Sequence, residues 1–229
     1  METCSVQILE TKEAILADND AVASATRELL NAKGVFLVNL MSSPGSGKTT
    51  TLMRTIRALK DRYRIGVIEA DVDGDVDART VAAEGVRVIQ VHTGGSCHMD
   101  AEMVRQGLEL LGTDDLDLVF LENVGNLVCP AEFDVGADLS TMILSVPEGD
   151  DKPLKYPLMF TVSDVLLINK IDVAEIFDFD YAACESRAKA LNPRIEVIRL
   201  SSLTGEGFES WIRCLTRRVE ERRLSHENN

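Results

Sequence analysis

Residues 42–50 read Ser-Ser-Pro-Gly-Ser-Gly-Lys-Thr-Thr and directly follow the apolar run Val-Phe-Leu-Val-Asn-Leu at 35–40. A strand, a glycine-rich turn and a helix start in this order let backbone N–H groups and a helix N-terminus converge on a polyphosphate. The segment departs from the pattern G-x-x-x-x-G-K-[ST] at Ser42, where another small residue, Gly, is usual. The sequence therefore predicts a nucleoside triphosphate site formed by Pro44, Gly45, Ser46, Gly47, Lys48, Thr49 and Thr50.

Two side chains of this loop have predicted chemical roles. Lys48 is expected to reach the β- and γ-phosphates, and the Thr49 hydroxyl is expected to ligate Mg²⁺. The alternative is a glycine-rich turn without a ligand, which has no need of Lys followed by Thr at these two places.

Apolar runs alternate with helical patterns along the whole chain. The predicted strands lie near 35–40, 64–70, 86–91, 116–121, 140–146, 164–168 and 195–200. This alternation requires right-handed crossovers and a largely parallel sheet that is covered on both faces. The sequence therefore predicts an α/β fold, a mostly parallel, two-sided P-loop NTPase sheet with flanking helices in a single domain, with its ligands at the carboxyl edge of the strands.

The flanks of the domain have patterns of their own. Apolar pairs recur every seven residues in the segment 1–33, which predicts an amphipathic helix. Packing on the flank of the sheet is favoured for this helix, and a partner-binding coiled coil is the alternative. The P-loop nucleotide-binding domain is expected to span 34–216, followed by a charged tail at 217–229 that is expected to fray.

Composition excludes several classes of partner. The chain has 229 residues, 45% of them apolar, and a formal charge of −14, which opposes binding to nucleic acid or to an anionic membrane surface. There is no run of about 18 apolar residues and no basic segment followed by an apolar stretch, so neither a membrane span nor a signal peptide is predicted. The expected location is the cytoplasm. The five cysteines are irregularly spaced, which favours free thiols over a disulfide framework.

A second motif indicates the base. Asn169-Lys170-Ile171-Asp172 follows the apolar run 165–168, and the Asp172 carboxylate in that place can accept from both N1–H and the exocyclic amine of guanine. Adenine offers no such donor pair, so the predicted nucleotide is GTP or GDP. The segment 201–207 follows the last strand, and its residues Ser201, Ser202 and Leu203 are expected to lie behind the base. The alternative for that segment is an ordinary strand-to-helix turn.

Acidic residues follow the strand near 64–70. A calcium loop counted from Asp71 would need Gly at position 6 and Glu at position 12, and the chain has Val76 and Ala82 there. Calcium is therefore rejected, and Asp71 is expected to hold Mg²⁺ directly or through water. Asp77 is expected to cap or enter the next helix. Asp73 and Asp75 are interpreted as solvated turn carboxylates.

The strand at 116–121 ends in Glu122-Asn123-Val124-Gly125. This is the place of the Walker-B acid, so Glu122 is predicted to polarise a water on Mg²⁺ or to orient the attacking water. Gly125 would let a backbone N–H approach the γ-phosphate. The alternative for Glu122 is a structural residue, which would leave a buried carboxylate uncompensated.

Softer ligands stand near the ends of two neighbouring strands. Cys97 and His98 follow the third strand, and Cys129 follows the fourth, so two thiols and an imidazole are expected at one edge of the sheet. The spacing is unlike that of structural zinc sites, whose paired ligands are two to four residues apart. A lone Cys is most often a small buried hydrophobe, and that interpretation stays open on the residues alone.

Four longer motifs carry a family resemblance: Gly-Gly-Ser-Cys-His-Met-Asp-Ala at 94–101, Glu-Asn-Val-Gly-Asn-Leu-Val-Cys-Pro-Ala-Glu-Phe-Asp at 122–134, Glu-Gly-Asp-Asp-Lys-Pro-Leu-Lys-Tyr-Pro at 148–157 and Asn-Lys-Ile-Asp at 169–172. Together they resemble the HypB family, GTPases that help to insert nickel into [NiFe] hydrogenase. The resemblance implies that Cys97, His98 and Cys129 bind Ni²⁺ or Zn²⁺ at a nucleotide-linked homodimer interface. It also implies a HypA-like maturation partner and a hydrogenase large subunit as client. Lys152 and Tyr156 fall in a stretch that this family places near the nucleotide and the partner subunit.

The chain departs from the family pattern in two places. It lacks an N-terminal C-x-x-C-G-C motif and a His-rich tract, so nickel storage there is not expected and Cys4 is interpreted as incidental. Gly74 stands where the family has a switch threonine, so a hydroxyl that could order this loop on Mg²⁺ is missing.

The predicted reaction is slow, Mg²⁺-dependent hydrolysis of GTP. Lys48 and Mg²⁺ on Thr49, Asp71 and Glu122 would neutralise charge on the phosphates, while the sequence shows no arginine finger or catalytic glutamine. One rival is a related GTPase for another metal or a cobalamin enzyme, but the urease-type Cys-Pro-His and the zinc-type Cys-x-Cys-Cys are absent. The other rival is a passive metal-binding protein whose nucleotide only stabilises the fold.

Overall fold

A single sheet of seven parallel strands forms the centre of the molecule, in the order β3-β2-β4-β1-β5-β6-β7. The structure is a computed structural model that describes residues 11–71 and 76–227, and side chains within 15–70 and 78–224. The strands are β1 Phe36–Ser42, β2 Ile65–Asp71, β3 Arg87–His92, β4 Leu118–Glu122, β5 Leu139–Ser145, β6 Val165–Asn169 and β7 Glu196–Arg199. The predicted α/β fold is confirmed, and all seven predicted strands are present.

Helices connect the strands and cover both faces of the sheet. Within the described ranges they are α1 Thr11–Lys33, α2 Lys48–Leu59, α3 Val76–Ala82, α4 Ala101–Leu111, α5 Cys129–Glu132, α6 Lys152–Lys155, α7 Pro157–Val162, α8 Tyr181–Leu191 and α9 Phe208–Glu227. Across the described part of the chain, no helix combines the length and apolar content that crossing a bilayer requires. Because the connections are helical crossovers between parallel strands, every strand points its carboxyl end to the same edge.

The register of the central strands fixes what meets at that edge. Leu40 of β1 and Glu69 of β2 both lie beside Glu122 at the end of β4. Asp71, the last residue of β2, lies beside His92, the last residue of β3. The turn after β1 and the segments after β2, β3 and β4 therefore start side by side.

Apolar side chains fill the space on each face. On one face α2 and α9 bury Leu52, Ile56 and Trp211 against β1 and β4. On the other face α1 and α4 bury Leu30 and Leu108 against the same strands. The continuous burial of β1, β4 and β6 explains why their sequences are mainly apolar rather than alternating between apolar and polar residues.

The N-terminal helix α1 lies on the flank of the sheet and contacts α4. It buries one narrow stripe, Asn19, Ala23, Thr26 and Leu30, and leaves Ile15 and Leu29 exposed. One member of each apolar pair thus faces the protein where the structure describes the side chains. The first pair, Ile8 and Leu9, and Cys4 lie outside the described residues.

The expectation that the charged residues from 217 onward fray is wrong for 217–227, because they continue α9. Val219 is buried in the core, and the charges beside it are paired rather than solvated. Arg223 contacts Asp117 at 2.7 Å, and Arg222 lies 3.3 Å from Asp138. Hydrogen bonds from Arg64 hold the pKa of Asp117 below its usual range. The predicted boundary at 216 falls inside a continuous helix.

Replacing Val219 with Ala should lower the free energy of unfolding by about 2 kcal/mol, because two buried methyl groups are lost and a cavity remains. The matched control is Leu224→Ala, in the next turn of the same helix, where the side chain is exposed and the expected change is within about 0.5 kcal/mol. Urea denaturation measures both. Equal small effects would contradict the packing of the end of α9.

Candidate functional site

The glycine-rich turn links the end of β1 at Ser42 to the start of α2 at Lys48. Gly45 and Gly47 have left-handed backbone angles, with φ of +75° and +95°. Side chains larger than hydrogen disfavour that region, so the path of the loop depends on glycine at both positions. The result is a loop that opens onto a cavity of about 710 Å³ at the carboxyl edge of the sheet.

Residues from four segments line this cavity. Those predicted from the sequence are Pro44, Gly45, Gly47, Lys48, Thr49, Thr50, Glu122, Gly125 and Lys170. The cavity is also lined by Ser43, Glu69, Ala70 and Val124, which the sequence analysis did not assign. The structure thus brings the loop, the predicted Walker-B acid and part of the base motif around one space large enough for a nucleotide.

Glu122 is the acidic centre of the cavity. It is 1% exposed, and its Oε1 accepts from the Thr49 hydroxyl at 2.6 Å and from the Lys48 ammonium at 3.2 Å. Its Oε2 is buried without a hydrogen-bond partner among the described residues. A hydroxyl oxygen beside a carboxylate is the hard oxygen set that Mg²⁺ prefers, and the unsatisfied oxygen is available to an ion or to its water. These residues therefore fit a bound magnesium ion.

The loop that follows β2 is described only in part. The backbone of Asp71 closes β2, but its side chain lies outside the described residues, as do the side chain of Asp77 and the whole of 72–75 with Asp73, Gly74 and Asp75. The backbone of Asp77 lies in α3, as expected of a residue that caps or enters the next helix. The other roles predicted for these residues stay predictions. Glu69 is a cavity residue that the sequence analysis missed. It is buried in β2, so an acid within an apolar strand was the available signal.

The predicted base motif is tied to the phosphate-binding loop by Asn169. Its Nδ2 donates to the Ser46 carbonyl at 2.8 Å, and its Oδ1 accepts from the Ser202 backbone N–H at 2.9 Å. Lys170 donates to the Gly45 carbonyl at 2.6 Å. Asp172 lies in an exposed turn and does not line the cavity, so its predicted contact with the base stays a prediction.

The segment 201–203 is held from the other side by α2. The hydroxyls of Thr51 and Ser202 are 2.6 Å apart, and the guanidinium of Arg54 donates to the carbonyls of Ser202 and Leu203 at 2.9 Å each. Ser201 and Ser202 are buried, while Leu203 is exposed. Sequence reasoning missed Arg54, because a helix surface arginine gives no signal of its partner on a distant loop.

Cys97, His98 and Cys129 form a second cluster, and their ligand atoms all lie within 4.8 Å of one another. The thiols of Cys97 and Cys129 are 2.8 Å apart, and Cys97 Sγ lies 3.9 Å from His98 Nδ1. Within the described side chains, this is the cluster of metal-ligand type that the geometry reveals. Cys97 is exposed, so the buried-hydrophobe interpretation does not apply to it.

The chemistry of this donor set fits a soft or borderline divalent metal. Two thiols and one imidazole suit tetrahedral Zn²⁺ or square-planar Ni²⁺, with one position left for water or another ligand. Burial lowers the pKa of His98, which favours the neutral imidazole that metals bind. A hydrogen bond with Cys97 raises the pKa of Cys129. By contrast, burial raises the pKa of Cys184 to about 12, as expected of an inert core thiol.

The two sites share the segment 122–129. Gly125 lies against the phosphate-binding loop, where an added Cβ would be 3.1 Å from Pro44 N. The buried side chain of Asn123 accepts from the backbone N–H of Met99, next to His98, at 3.2 Å. One short stretch of chain therefore touches the phosphate loop and the soft-ligand cluster.

The two remaining predicted residues, Lys152 and Tyr156, contact each other. The Lys152 ammonium lies 5.5 Å from the centroid of the Tyr156 ring, as in a cation–π pair. Lys152 is the first residue of α6, and Tyr156 directly follows its last residue. Neither residue is among those that line the cavity.

Comparison with known proteins gives consistent results. The profile of the CobW/HypB/UreG nucleotide-binding domain matches residues 36–199. The hydrogenase maturation factor HypB of Azotobacter vinelandii is 48% identical over 213 residues, which cover 92% of this chain and 70% of that protein. The crystal structure of HypB from Helicobacter pylori in complex with nickel has a TM-score of 0.84 and 36% identity, covering 89% of this chain and 96% of that one. HypB from Archaeoglobus fulgidus has a TM-score of 0.83 and 39% identity, covering 89% and 100%.

Alanine substitutions at Gly45 and Gly47, the two glycines of the phosphate-binding loop with positive φ, should separate the effects of backbone strain and steric conflict on stability. Both changes should cost about 1–2 kcal/mol because alanine disfavours positive φ. In Gly47→Ala the new Cβ would also lie 2.5 Å from Asn169 Nδ2, whereas at Gly45 nothing lies within 4 Å. Displacing the Asn169 amide leaves buried backbone groups unpaired, so Gly47→Ala should lose about 2 kcal/mol more than Gly45→Ala. Chemical denaturation without nucleotide measures the difference, and equal losses would argue against the bridging role of Asn169.

Proposed function

The chain belongs to the CobW/HypB/UreG family and within it to the HypB hydrogenase maturation factors, and from this premise we propose that it is a GTP-hydrolysing metallochaperone. It binds Ni²⁺ or Zn²⁺ through Cys97, His98 and Cys129 and assists the insertion of nickel into [NiFe] hydrogenase. The observation that carries the proposal is the pairing of a phosphate-binding cavity with a soft-ligand cluster through the single segment 122–129. Nickel is the cargo in this proposal and GTP is the substrate.

The residues of the cavity divide the work of hydrolysis. Backbone N–H groups of the loop and the ammonium of Lys48 hold the phosphates and offset the charge that develops as water attacks the γ-phosphorus and GDP leaves. Thr49 and Glu122, joined by Asp71, would hold Mg²⁺, which when bound supplies further charge neutralisation on the phosphate oxygens. The described residues that line the cavity include neither arginine nor glutamine, which supports a slow reaction suited to a timer of delivery.

Selectivity for guanine rests on the base motif. Asn169 fixes the positions of the loop and of the segment 201–203, and Lys170 lies across the loop at Gly45. We assign Asp172 to the two guanine donors, reached from its exposed turn when the nucleotide is bound. The proposal further includes a nucleotide- or metal-linked homodimer, a HypA-like partner, a hydrogenase large subunit as client and a cytoplasmic location, where GTP is available.

Measurement of phosphate release from GTP in the presence of Mg²⁺ tests the enzymatic part. The wild type should turn over slowly, and Lys48→Ala should abolish turnover while weakening GTP binding more than GDP binding, because the ammonium reaches the outer phosphates.

Asp172→Asn should lower GTP affinity at least tenfold, since each charge-assisted bond contributes about 1.5–3 kcal/mol. Asp178→Asn, at a nearby exposed aspartate, is the matched control.

Two outcomes would contradict this assignment. A wild type that prefers ATP in competition binding would reject guanine selectivity. Nucleotide binding without any phosphate release would favour the passive metal-binding protein whose nucleotide only stabilises the fold.

Calorimetric titration with Ni²⁺ and Zn²⁺ tests the metal site. Cys97→Ala and Cys129→Ala should each lower metal affinity at least tenfold, because each removes one thiolate of the donor set. Cys184→Ala is the control, since that thiol is buried in the core away from the cluster.

The metal affinity should also differ between the GDP and GTP states, typically by about 5–150-fold in coupled systems. One metal affinity in both nucleotide states, or unchanged binding by both cysteine variants, would contradict the proposal.

A further inference from the structure

One side chain of the N-terminal helix contacts both segments that carry the predicted metal ligands. Asn19 lies in α1, is 8% exposed and has no direct contact with the ligand atoms. Its Oδ1 accepts from the backbone N–H of Ala101 at 2.9 Å, in the segment that begins with Cys97 and His98. Its Nδ2 donates to the backbone carbonyl of Asp134 at 2.8 Å, in the segment that begins with Cys129.

The chemistry of the two contacts fixes the amide. An asparagine side chain has one carbonyl that only accepts and one NH₂ that only donates, so just one orientation satisfies a backbone N–H on one side and a backbone C=O on the other. Ala101 is fully buried and is the first residue of α4, where N–H groups have no partner within the helix. Asp100 accepts from Met103, three residues along, so Asn19 serves a different N–H of the same turn.

The second segment is seated on α1 by more than this bond. Arg27 donates to both carboxylate oxygens of Asp134, at 2.8 and 2.7 Å. Gly136 packs so closely on the helix that an added Cβ would lie 2.6 Å from the Ala23 carbonyl. The residue before Asp134 is Phe133, whose ring stacks on His98 with centroids 4.0 Å apart.

These contacts form a closed circuit that passes through His98. From His98 the path crosses the ring stack to Phe133, follows the chain to Asp134, crosses the Asn19 amide to Ala101 and returns along the chain to His98. Asn19 is the only part of the circuit that belongs to neither ligand-bearing segment. Together with Arg27 and Gly136, which seat the second segment on α1, it fixes how far apart those two segments stand on the side of α1.

We propose that Asn19 is a positioning residue for the Cys97, His98 and Cys129 site. The inference rests on the proposed function of that cluster as a Ni²⁺ or Zn²⁺ site. The ligands come from two separate segments, so their spacing before metal arrives depends on what joins the segments. Asn19 acts on this spacing through the backbone at Ala101 and Asp134, as outer partners do that orient the ligands of metal sites.

The test compares Asn19→Ala with the wild-type full chain in Ni²⁺ titrations. Loss of an outer partner typically lowers metal affinity about 10–100-fold, and that range is expected here. The absorption bands of the Ni²⁺–thiolate bonds should also change in position or intensity, which a purely stabilising contact would not alter. GDP affinity should stay within about twofold, because the described contacts of Asn19 do not reach the nucleotide cavity.

Asn192→Ala is the matched control. Asn192 also joins backbone groups of separate segments, since its Nδ2 donates to the carbonyls of Thr161 and Ser163 and its Oδ1 accepts from Arg194 N–H. None of these partners lies in a segment with a predicted metal ligand. It should lower the melting temperature without changing Ni²⁺ affinity or the absorption bands.

If Asn19→Ala does not fold, Asn19→Asp replaces it, because the aspartate keeps the acceptor for Ala101 and loses the donor to Asp134. Wild-type Ni²⁺ affinity together with wild-type absorption bands in a folded Asn19 variant would overturn the inference alone. If the wild type binds neither Ni²⁺ nor Zn²⁺, the proposed function fails, and the inference fails with it.

Discussion

The buried carboxylate of Glu122 is the constraint on which the arrangement of both sites depends. A carboxylate that is 1% exposed is costly unless charges and hydrogen bonds compensate it. Lys48 and Thr49 supply that compensation from the start of α2, on the same oxygen. The start of α2, and with it the turn 42–47, is therefore pinned to the end of β4. The second oxygen is buried without a hydrogen-bond partner among the described residues, which matches a site that an ion or its water completes.

The parallel sheet places the polar turns that follow its strands at one edge, next to the Glu122 pairing. Since all strands point the same way, the turns after β1, β3, β4 and β6 gather at one side and need bonds between turns rather than along the ladder. Asparagine side chains make these bonds, because each has a donor and an acceptor that can join two backbones. Asn169 joins the phosphate loop to the segment after β7, and Asn123 joins the end of β4 to the loop that carries His98.

The sequence predicted the parts that local patterns determine. The strands and the phosphate loop could be predicted because a buried parallel strand and a glycine-rich turn leave contiguous signals. The metal role of Cys97, His98 and Cys129 came from the family resemblance, since the residues alone left it open. The end of α9 could not, since a charged stretch resembles a tail unless its partners Asp117 and Asp138 are known to lie beside it. The roles of Asn19 and Arg54 could not be predicted from the sequence for the same reason. Their roles depend on backbone groups far away in the chain, and no pattern around either residue encodes them.

The two asparagines that hold the loop 97–101 belong to parts of the molecule with different freedom. Asn123 follows Glu122 directly, so any rearrangement of the nucleotide cavity that moves Glu122 is transmitted to the Met99 N–H beside His98. Asn19 belongs to a long helix packed on α4, and its contact at Ala101 has no link to the cavity. A displacement at Asn123 against a fixed point at Asn19 cannot move the loop as a rigid body. It must change the backbone between Met99 and Ala101, the residues at those two contacts. His98 lies directly before Met99. The proposed coupling between the nucleotide and the metal therefore requires α1 to stay in place, because a loop free at Ala101 would follow Asn123 and keep its ligand geometry.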